Sequence, residues 1–77
     1  MVDVRFPQLS DSEPDAEGIV ATWFVAEGET VGTGQLVAEV QVDKASAEVI
    51  APAGGVVHLA VAEGEPLHQG HVIATIA

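Results

Sequence analysis

The dipeptide Asp43-Lys44 is the part of this sequence whose residue types could carry chemistry. Lys44 is the only lysine among the 77 residues, and Arg5 is the only arginine. A primary amine can be acylated to an amide, and a single lysine offers a modifying enzyme only one ε-amine. The sequence therefore predicts that Lys44 can be modified selectively, provided that the fold exposes it.

Two segments with alternating side chains flank this dipeptide and must position it. The residues predicted to face the core are Leu36, Ala38, Val40, Val42, Ala45, Ala47, Val49 and Ala51. The residues predicted to face outward are Gln35, Val37, Glu39, Gln41, Ser46, Glu48 and Ile50. Alternation of this kind is typical of strands with one buried face. Lys44 is therefore predicted at the tip of a β-hairpin with its amine accessible, although lysine is not the glycine that a type I′ turn prefers.

An internal repeat with an offset of 36 residues organises the chain. Residues 18–40 align without gaps on residues 54–76, and nine of these 23 positions are identical. The repeated Ala-Glu-Gly-Glu at 26–29 and 62–65 predicts two tight turns whose carboxylates have a structural role. Two copies are too few for a solenoid. The halves, about 1–42 and 45–77, are predicted to close on each other with pseudo-two-fold symmetry in a single domain.

The fold class predicted from these patterns is all-β. We expect strands near 2–6, 18–26, 29–31, 35–42, 45–51, 54–62, 66–68 and 71–77, and no helix. Two four-stranded antiparallel sheets would form a flattened β-barrel or sandwich. With two Phe, one Trp and no Tyr, the core must consist mainly of Val, Ile, Leu and Ala. Trp23 and its repeat counterpart Leu59 are assigned to that core.

The charge balance excludes several classes of function. Twelve acidic residues against two basic ones give a net charge of −10, which would repel nucleic acids and anionic membranes. The chain has no cysteine, and no window resembles a signal peptide or a membrane span. The acidity itself is explained equally well by solubility and by a role in choosing partners.

Other candidate sites are weak. His68 and His71 could be read as a metal pair, but no third ligand is in view. Ser10, Ser12 and Ser46 have no evident base partner. We therefore predict no metal site and no catalytic residue.

The first half of the chain carries nine residues that the second half lacks, roughly Gln8–Ala16. The insertion is polar, acidic and contains proline, so it is predicted to be a surface loop. It is either a tolerated insertion without a role or a recognition element.

The chain resembles the biotinyl/lipoyl carrier family, and specifically the lipoyl domain of the dihydrolipoamide acyltransferase component of 2-oxo acid dehydrogenase complexes. The residues that carry the resemblance are Glu27-Gly28-Glu29, Gly34, Glu39–Ala45, Glu48-Val49, Ala51-Pro52, Gly54–Val61 and Glu63-Gly64-Glu65. The spacing of ten residues from Gly34 to Lys44, and ten more to Gly54, follows the family pattern.

The neighbours of the lysine separate the cofactors within that family. Asp43 and Ala45 flank Lys44 as in lipoyl domains, whereas biotin carriers have Met on both sides. The glycine-cleavage carrier is also similar, but it is longer and has helical additions. Two departures concern specificity. Gln41-Val42 replaces the usual Glu-Thr and resembles the branched-chain 2-oxo acid subgroup, and Ser10–Pro14 replaces the usual Gly-Glu-Gly. Which 2-oxo acid is served is left open.

The resemblance implies a function for the site. Lipoic acid would be attached covalently to Lys44 by a lipoate ligase or lipoyl transferase, with Asp43 and Ala45 as flanking recognition residues. The arm would take an acyl group from a thiamine-dependent 2-oxo acid decarboxylase and deliver it to coenzyme A at an acyltransferase catalytic domain. Dihydrolipoyl dehydrogenase would reoxidise it.

By the same resemblance, partner recognition would involve Asp11, Glu13, Asp15 and Glu17, and the chain would be a carrier rather than an enzyme by itself. The expected location is the bacterial cytoplasm or, in a eukaryote, the mitochondrial matrix. Two alternatives are a biotin carrier and an unmodified hairpin-type interaction module.

Overall fold

The computed structural model describes residues 1–9 and 16–77. That part of the chain contains eight strands: β1 (Val2–Arg5), β2 (Glu17–Trp23), β3 (Thr30–Val31), β4 (Leu36–Val42), β5 (Ala45–Ile50), β6 (Gly55–Leu59), β7 (Leu67–His68) and β8 (Val72–Ile76). All eight strands predicted from the sequence are present, although those expected over 18–26 and 54–62 end earlier. Within these residues no helix is long and apolar enough to cross a membrane.

The strands form two four-stranded sheets with the orders β1-β8-β6-β3 and β5-β4-β2-β7. Every pairing is antiparallel. The two orders correspond strand by strand in the repeat. One order becomes the other when each strand is exchanged for its repeat counterpart: β1 for β5, β2 for β6, β3 for β7 and β4 for β8. The all-β, pseudo-two-fold fold predicted from the sequence is therefore confirmed. The sheets stack as a sandwich and do not close into a barrel.

Aliphatic side chains fill the space between the sheets, as the composition predicts. The buried residues are Val4, Phe6, Val20, Val25, Val31, Val37, Ala38, Val40, Val42, Val49, Ala51, Val57, Leu67, Ile73, Ala74 and Ile76. No polar or charged side chain of the described residues is buried. Trp23 is only half-buried and packs against the edge of this core, where its Nε1 donates a hydrogen bond of 3.1 Å to the Val61 carbonyl oxygen.

Val37 contradicts the outward orientation predicted for it, since it is 0% exposed. The pairing of β4 with β5 shifts register between Leu36 and Ala38. A shift of this kind interrupts the regular alternation of side chains. The prediction fails there, whereas Val40 and Val42, nearer the hairpin, are buried as expected.

The two Glu-Gly-Glu turns each bind the other half of the chain, which gives their carboxylates a structural role, as their repetition predicts. Glu27 Oε1 accepts a hydrogen bond of 2.7 Å from the Leu59 amide, and Glu63 Oε2 accepts one of 2.7 Å from the Trp23 amide. These bonds correspond to each other in the repeat. Each carboxylate thus accepts a hydrogen bond from the amide of the last residue of β2 or of β6. The Leu59 amide, and secondarily His58 at 2.7 Å, hold the pKa of Glu27 below its usual value.

The two ends of the chain lie side by side at the end of the sandwich remote from the β4–β5 turn. Val2 is paired with Ile76, and Ala77 exchanges two backbone hydrogen bonds with Val56. Val56 also pairs with β3, and β3 is joined by residues 32–35 to the first residue of β4. The chain ends are therefore near the start of β4. The β4–β5 turn follows the last residue of β4, so the whole length of that strand separates the turn from the chain ends. The principal extents of the molecule are 34 × 19 × 16 Å.

Candidate functional site

The β4–β5 hairpin ends in a two-residue tip, Asp43 and Lys44, closed by the pair Val42 and Ala45. Asp43 has a φ of 53° and is the only non-glycine residue with positive φ in the described part of the chain. Aspartate tolerates this left-handed conformation better than most residues. A type I′ turn needs positive φ at both central residues, so this turn is of another type. Lys44 therefore replaces no required glycine.

The tip exposes its side chains to solvent. Asp43 and Lys44 are exposed, Lys44 as predicted, while the preceding Val42 is buried and anchors the strand. Ala45 is exposed as well, so the core-facing position predicted for it is wrong: it lies beside the tip at the start of β5, an edge strand of its sheet. Within residues 1–9 and 16–77, the side chain of Lys44 makes no hydrogen bond and no ion pair. Its amine therefore stands at the hairpin tip without a protein group that holds it.

Gln41 contacts the turn directly. Its Nε2 donates a hydrogen bond of 3.2 Å to the Asp43 carbonyl oxygen, and its side chain is exposed. In the ladder it lies opposite Ser46 on the other arm of the hairpin. A glutamate in this place would have no proton to donate at neutral pH.

A shallow depression of about 280 Å³ lies beside the tip and is lined by Glu17, Gly18, Ile19, Gln41, Asp43 and Pro66. Its rim is acidic because it carries the Glu17 and Asp43 carboxylates. Gly18 is buried here, and β2 passes so close to β4 that a Cβ on Gly18 would lie 2.6 Å from the Gln41 carbonyl oxygen. The close approach brings the start of β2 to the base of the hairpin.

Of the four residues predicted to recognise partners, Glu17 lies beside the hairpin. It is the first residue of β2 and is exposed, and its Oε2 lies 3.7 Å from His68 Nε2. Asp11, Glu13 and Asp15 lie outside the described residues. Their role remains a prediction.

Gln69 is a residue of this end of the molecule that the sequence analysis missed. Its Oε1 accepts a hydrogen bond of 2.6 Å from the Leu9 amide, and its Nε2 donates one of 3.2 Å to the Ala16 carbonyl oxygen. One side chain thus forms hydrogen bonds with both ends of the insertion. No pattern in the sequence distinguishes Gln69, because Thr33 and Gln69 are one of the fourteen non-identical pairs among the 23 aligned positions of the repeat.

Of the other candidates weighed in the sequence, Ser10 and Ser12 lie outside the described residues. His68 and His71 are exposed, and no group of three or more potential metal ligands occurs in the part of the chain that the structure covers. The exposed hairpin with its single amine is therefore the arrangement that needs a functional explanation.

Comparison with known proteins assigns the chain to a family. A family model described as "Biotin-requiring enzyme", covering biotin- and lipoyl-carrying domains, matches residues 2–76. The chain belongs to this biotin/lipoyl family, as the sequence predicted.

Its relatives are acyltransferase components of 2-oxo acid dehydrogenase complexes. The chain is 32% identical over 99% of its length to the dihydrolipoyllysine-residue succinyltransferase component of the 2-oxoglutarate dehydrogenase complex of Staphylococcus saprophyticus. It is 38% identical, again over 99%, to the acetyltransferase component of the pyruvate dehydrogenase complex of Zymomonas mobilis. It spans only 18% and 17% of those proteins.

A solved structure agrees over the whole chain. The lipoyl domain of the 2-oxoglutarate dehydrogenase complex of Azotobacter vinelandii superposes with a TM-score of 0.79 at 31% identity. The match covers 100% of this chain and 96% of that domain. The match therefore extends over almost all of a lipoyl domain.

Proposed function

We propose that this chain is a lipoyl carrier domain in which Lys44 is joined to lipoic acid through an amide bond. The observation that carries the proposal is that the only lysine in the chain stands, exposed and unpaired within the described residues, at the tip of a hairpin. Its neighbours Asp43 and Ala45 are those of lipoyl domains. The similarity to a lipoyl domain over the whole chain supports the same reading.

The surroundings of Lys44 suit a group that must leave the protein surface. The adjacent depression is shallow and open, so it could not enclose a cofactor arm. When attached, lipoic acid supplies a disulfide that can take up an acyl group as it is reduced. The protein's own residues supply position: buried Val40 and Val42 fix the hairpin in the sandwich, and the tip presents the amine to solvent. In this proposal the chain is a carrier and not an enzyme by itself, because the cofactor supplies the chemistry and the protein supplies position.

We infer that its partners are those of a 2-oxo acid dehydrogenase complex. They would be a lipoate ligase or lipoyl transferase, a thiamine-dependent decarboxylase, an acyltransferase domain and dihydrolipoyl dehydrogenase. Amide formation removes the charge of Lys44, so the net charge changes from −10 to −11. The resulting acidic surface favours partners with basic docking surfaces. Relatives from the 2-oxoglutarate and pyruvate complexes are both similar to this chain, so similarity alone does not choose the 2-oxo acid.

Intact mass spectrometry tests the proposal. The protein is incubated with lipoate, ATP and a lipoate ligase, and we expect it to gain the mass of one lipoyl group. Lys44→Arg keeps the charge but removes the acceptor, so it should gain nothing. A second control moves the lysine by two residues: Lys44→Arg combined with Ser46→Lys retains an exposed amine on the same hairpin, and we expect it to be modified much more slowly.

Two results would overturn the proposal. One is that the native chain gains biotin from a biotin ligase and nothing from the lipoate ligase, which would make it a biotin carrier. The other is that it gains neither group, which would favour an unmodified interaction module.

A further inference from the structure

The acceptor of the Gln41 hydrogen bond belongs to the peptide unit on which Lys44 stands. The Asp43 carbonyl and the Lys44 amide are parts of one planar group and rotate together. Asp43 is in a left-handed conformation, with φ at 53°, that residues other than glycine rarely adopt. A bond to this carbonyl therefore restrains both the strained residue and the starting direction of the lysine side chain.

Glutamine is suited to this contact, whereas glutamate is not. The Gln41 amide donates to the Asp43 carbonyl oxygen at 3.2 Å. An ionised carboxylate accepts hydrogen bonds only, so glutamate would set a negative charge against the carbonyl oxygen. The glutamine that departs from the usual Glu-Thr-Asp-Lys-Ala sequence is thus the residue that can bond to the turn.

The contact is specific to this hairpin. The repeat counterpart of Gln41 is Ala77, so the pseudo-two-fold fold does not itself require glutamine here. The side chain is exposed and adds nothing to the buried core. Its bonding group is directed at the turn.

We propose that Gln41 is a positioning residue for Lys44. The side-chain amide of Gln41 fixes the Asp43–Lys44 peptide. It thereby raises the fraction of molecules that present the lysine amine in the orientation that a modifying enzyme accepts. This rests on the proposed function of Lys44. Both Gln41 and Asp43 line the depression beside the tip, together with Glu17. A modifying enzyme that bound to this depression would therefore contact the Asp43–Lys44 peptide, which the Gln41 side chain holds in place.

Three variants separate the hydrogen bond from charge. Gln41→Met removes the donor without adding charge, Gln41→Glu removes the donor and adds a negative charge, and Ser46→Asp adds the charge directly opposite while keeping the donor. Both positions are exposed, so we expect native folding of all three variants, to be verified by thermal melting. The readout is the backbone order parameter of Lys44 from ¹⁵N relaxation of the unmodified protein.

At neutral pH we expect this order parameter to fall in both Gln41 variants from about 0.85, the value of rigid backbone, toward about 0.6. Ser46→Asp should keep the native value. Below the ordinary glutamate pKa of about 4.3, Gln41→Glu regains a proton to donate, so its order parameter should recover whereas that of Gln41→Met should not. Native order in Gln41→Met, or equal loss in Ser46→Asp, would overturn the proposal.

The same variants predict a kinetic effect. A smaller binding-competent fraction weakens apparent binding without altering the chemical step. With a lipoate ligase, Gln41→Met should raise the KM for the carrier about two- to tenfold, the range of one modest hydrogen bond, and leave kcat unchanged. A native KM in that variant would also contradict the proposal. If the native protein takes no lipoate at all, the proposed function fails, and the order parameters alone decide whether Gln41 holds the turn.

Discussion

Replacing Gly18 by alanine tests the close approach of β2 to the hairpin. The added Cβ would lie 2.5 Å from Phe6 Cζ, 2.6 Å from the Gln41 carbonyl oxygen and 2.6 Å from Val42 Cγ2. Phe6 and Val42 are only 1% and 2% exposed, so neither side chain can swing into solvent, and the carbonyl belongs to β4. We therefore expect a cost of about 3 kcal/mol, the upper end of the usual range for overpacking. In a domain of this size the melting temperature should fall by about 12–24 °C.

The repeat provides a matched control, Gly54→Ala. A Cβ on Gly54 would come no closer than 3.5 Å, to the Val31 carbonyl oxygen, which is an ordinary contact. We expect its unfolding free energy to stay within about 0.5 kcal/mol of the native value. Calorimetry or circular dichroism of the three proteins in one buffer measures the difference. Equal melting shifts for the two alanine variants would show that the packing argument is wrong.

Two further predictions concern the insertion and the interlocked turns. Gln69→Leu removes the acceptor of the Leu9 amide and should accelerate hydrogen exchange at that amide about two- to tenfold; unchanged exchange would mean that another group holds Leu9. Folding lowers the pKa of Glu27 from 4.5, so its ionised form is favoured in the native state. Its contribution to stability is present above that pH and is lost as the pH falls through the lowered pKa. Urea unfolding of Glu27→Gln should therefore show a weaker loss of stability on acidification. If the unfolding free energy of the variant fell with decreasing pH as steeply as that of the native protein, this expectation would be contradicted.

The hairpin was predictable because its signal is local. Alternation on both sides of Lys44 needs only the period of a strand and one buried face, and the structure has Val42 buried and Lys44 exposed as that pattern requires. The same rule misplaced Ala45, which is exposed, and it misplaced Val37. A register shift depends on how β5 lies against β4, and neither segment alone specifies it.

Contacts between distant residues account for the other features that the sequence did not predict. Gly18 and Gly54 are identical members of the repeat, yet only Gly18 is closely packed, against Phe6 and Val42. The bond between Leu9 and Gln69 joins residues 60 positions apart. The repeat marks such positions as equivalent. The repeat does not indicate which of two equivalent positions is closely packed, or which one forms the long-range hydrogen bond.

The adjacent position of the two chain ends determines how far Lys44 could extend from a polypeptide attached to them. Val2 pairs with Ile76, and both lie at the end of the sandwich remote from the tip of the β4–β5 hairpin. A polypeptide joined to either end would therefore pull on the molecule from the side opposite Lys44. The folded body, 34 Å along its longest axis, would then act as a rigid spacer between the tether and the modified amine. Lengthening such a tether would extend the working radius of Lys44, and the body would keep the tether itself away from the surface that the lysine approaches.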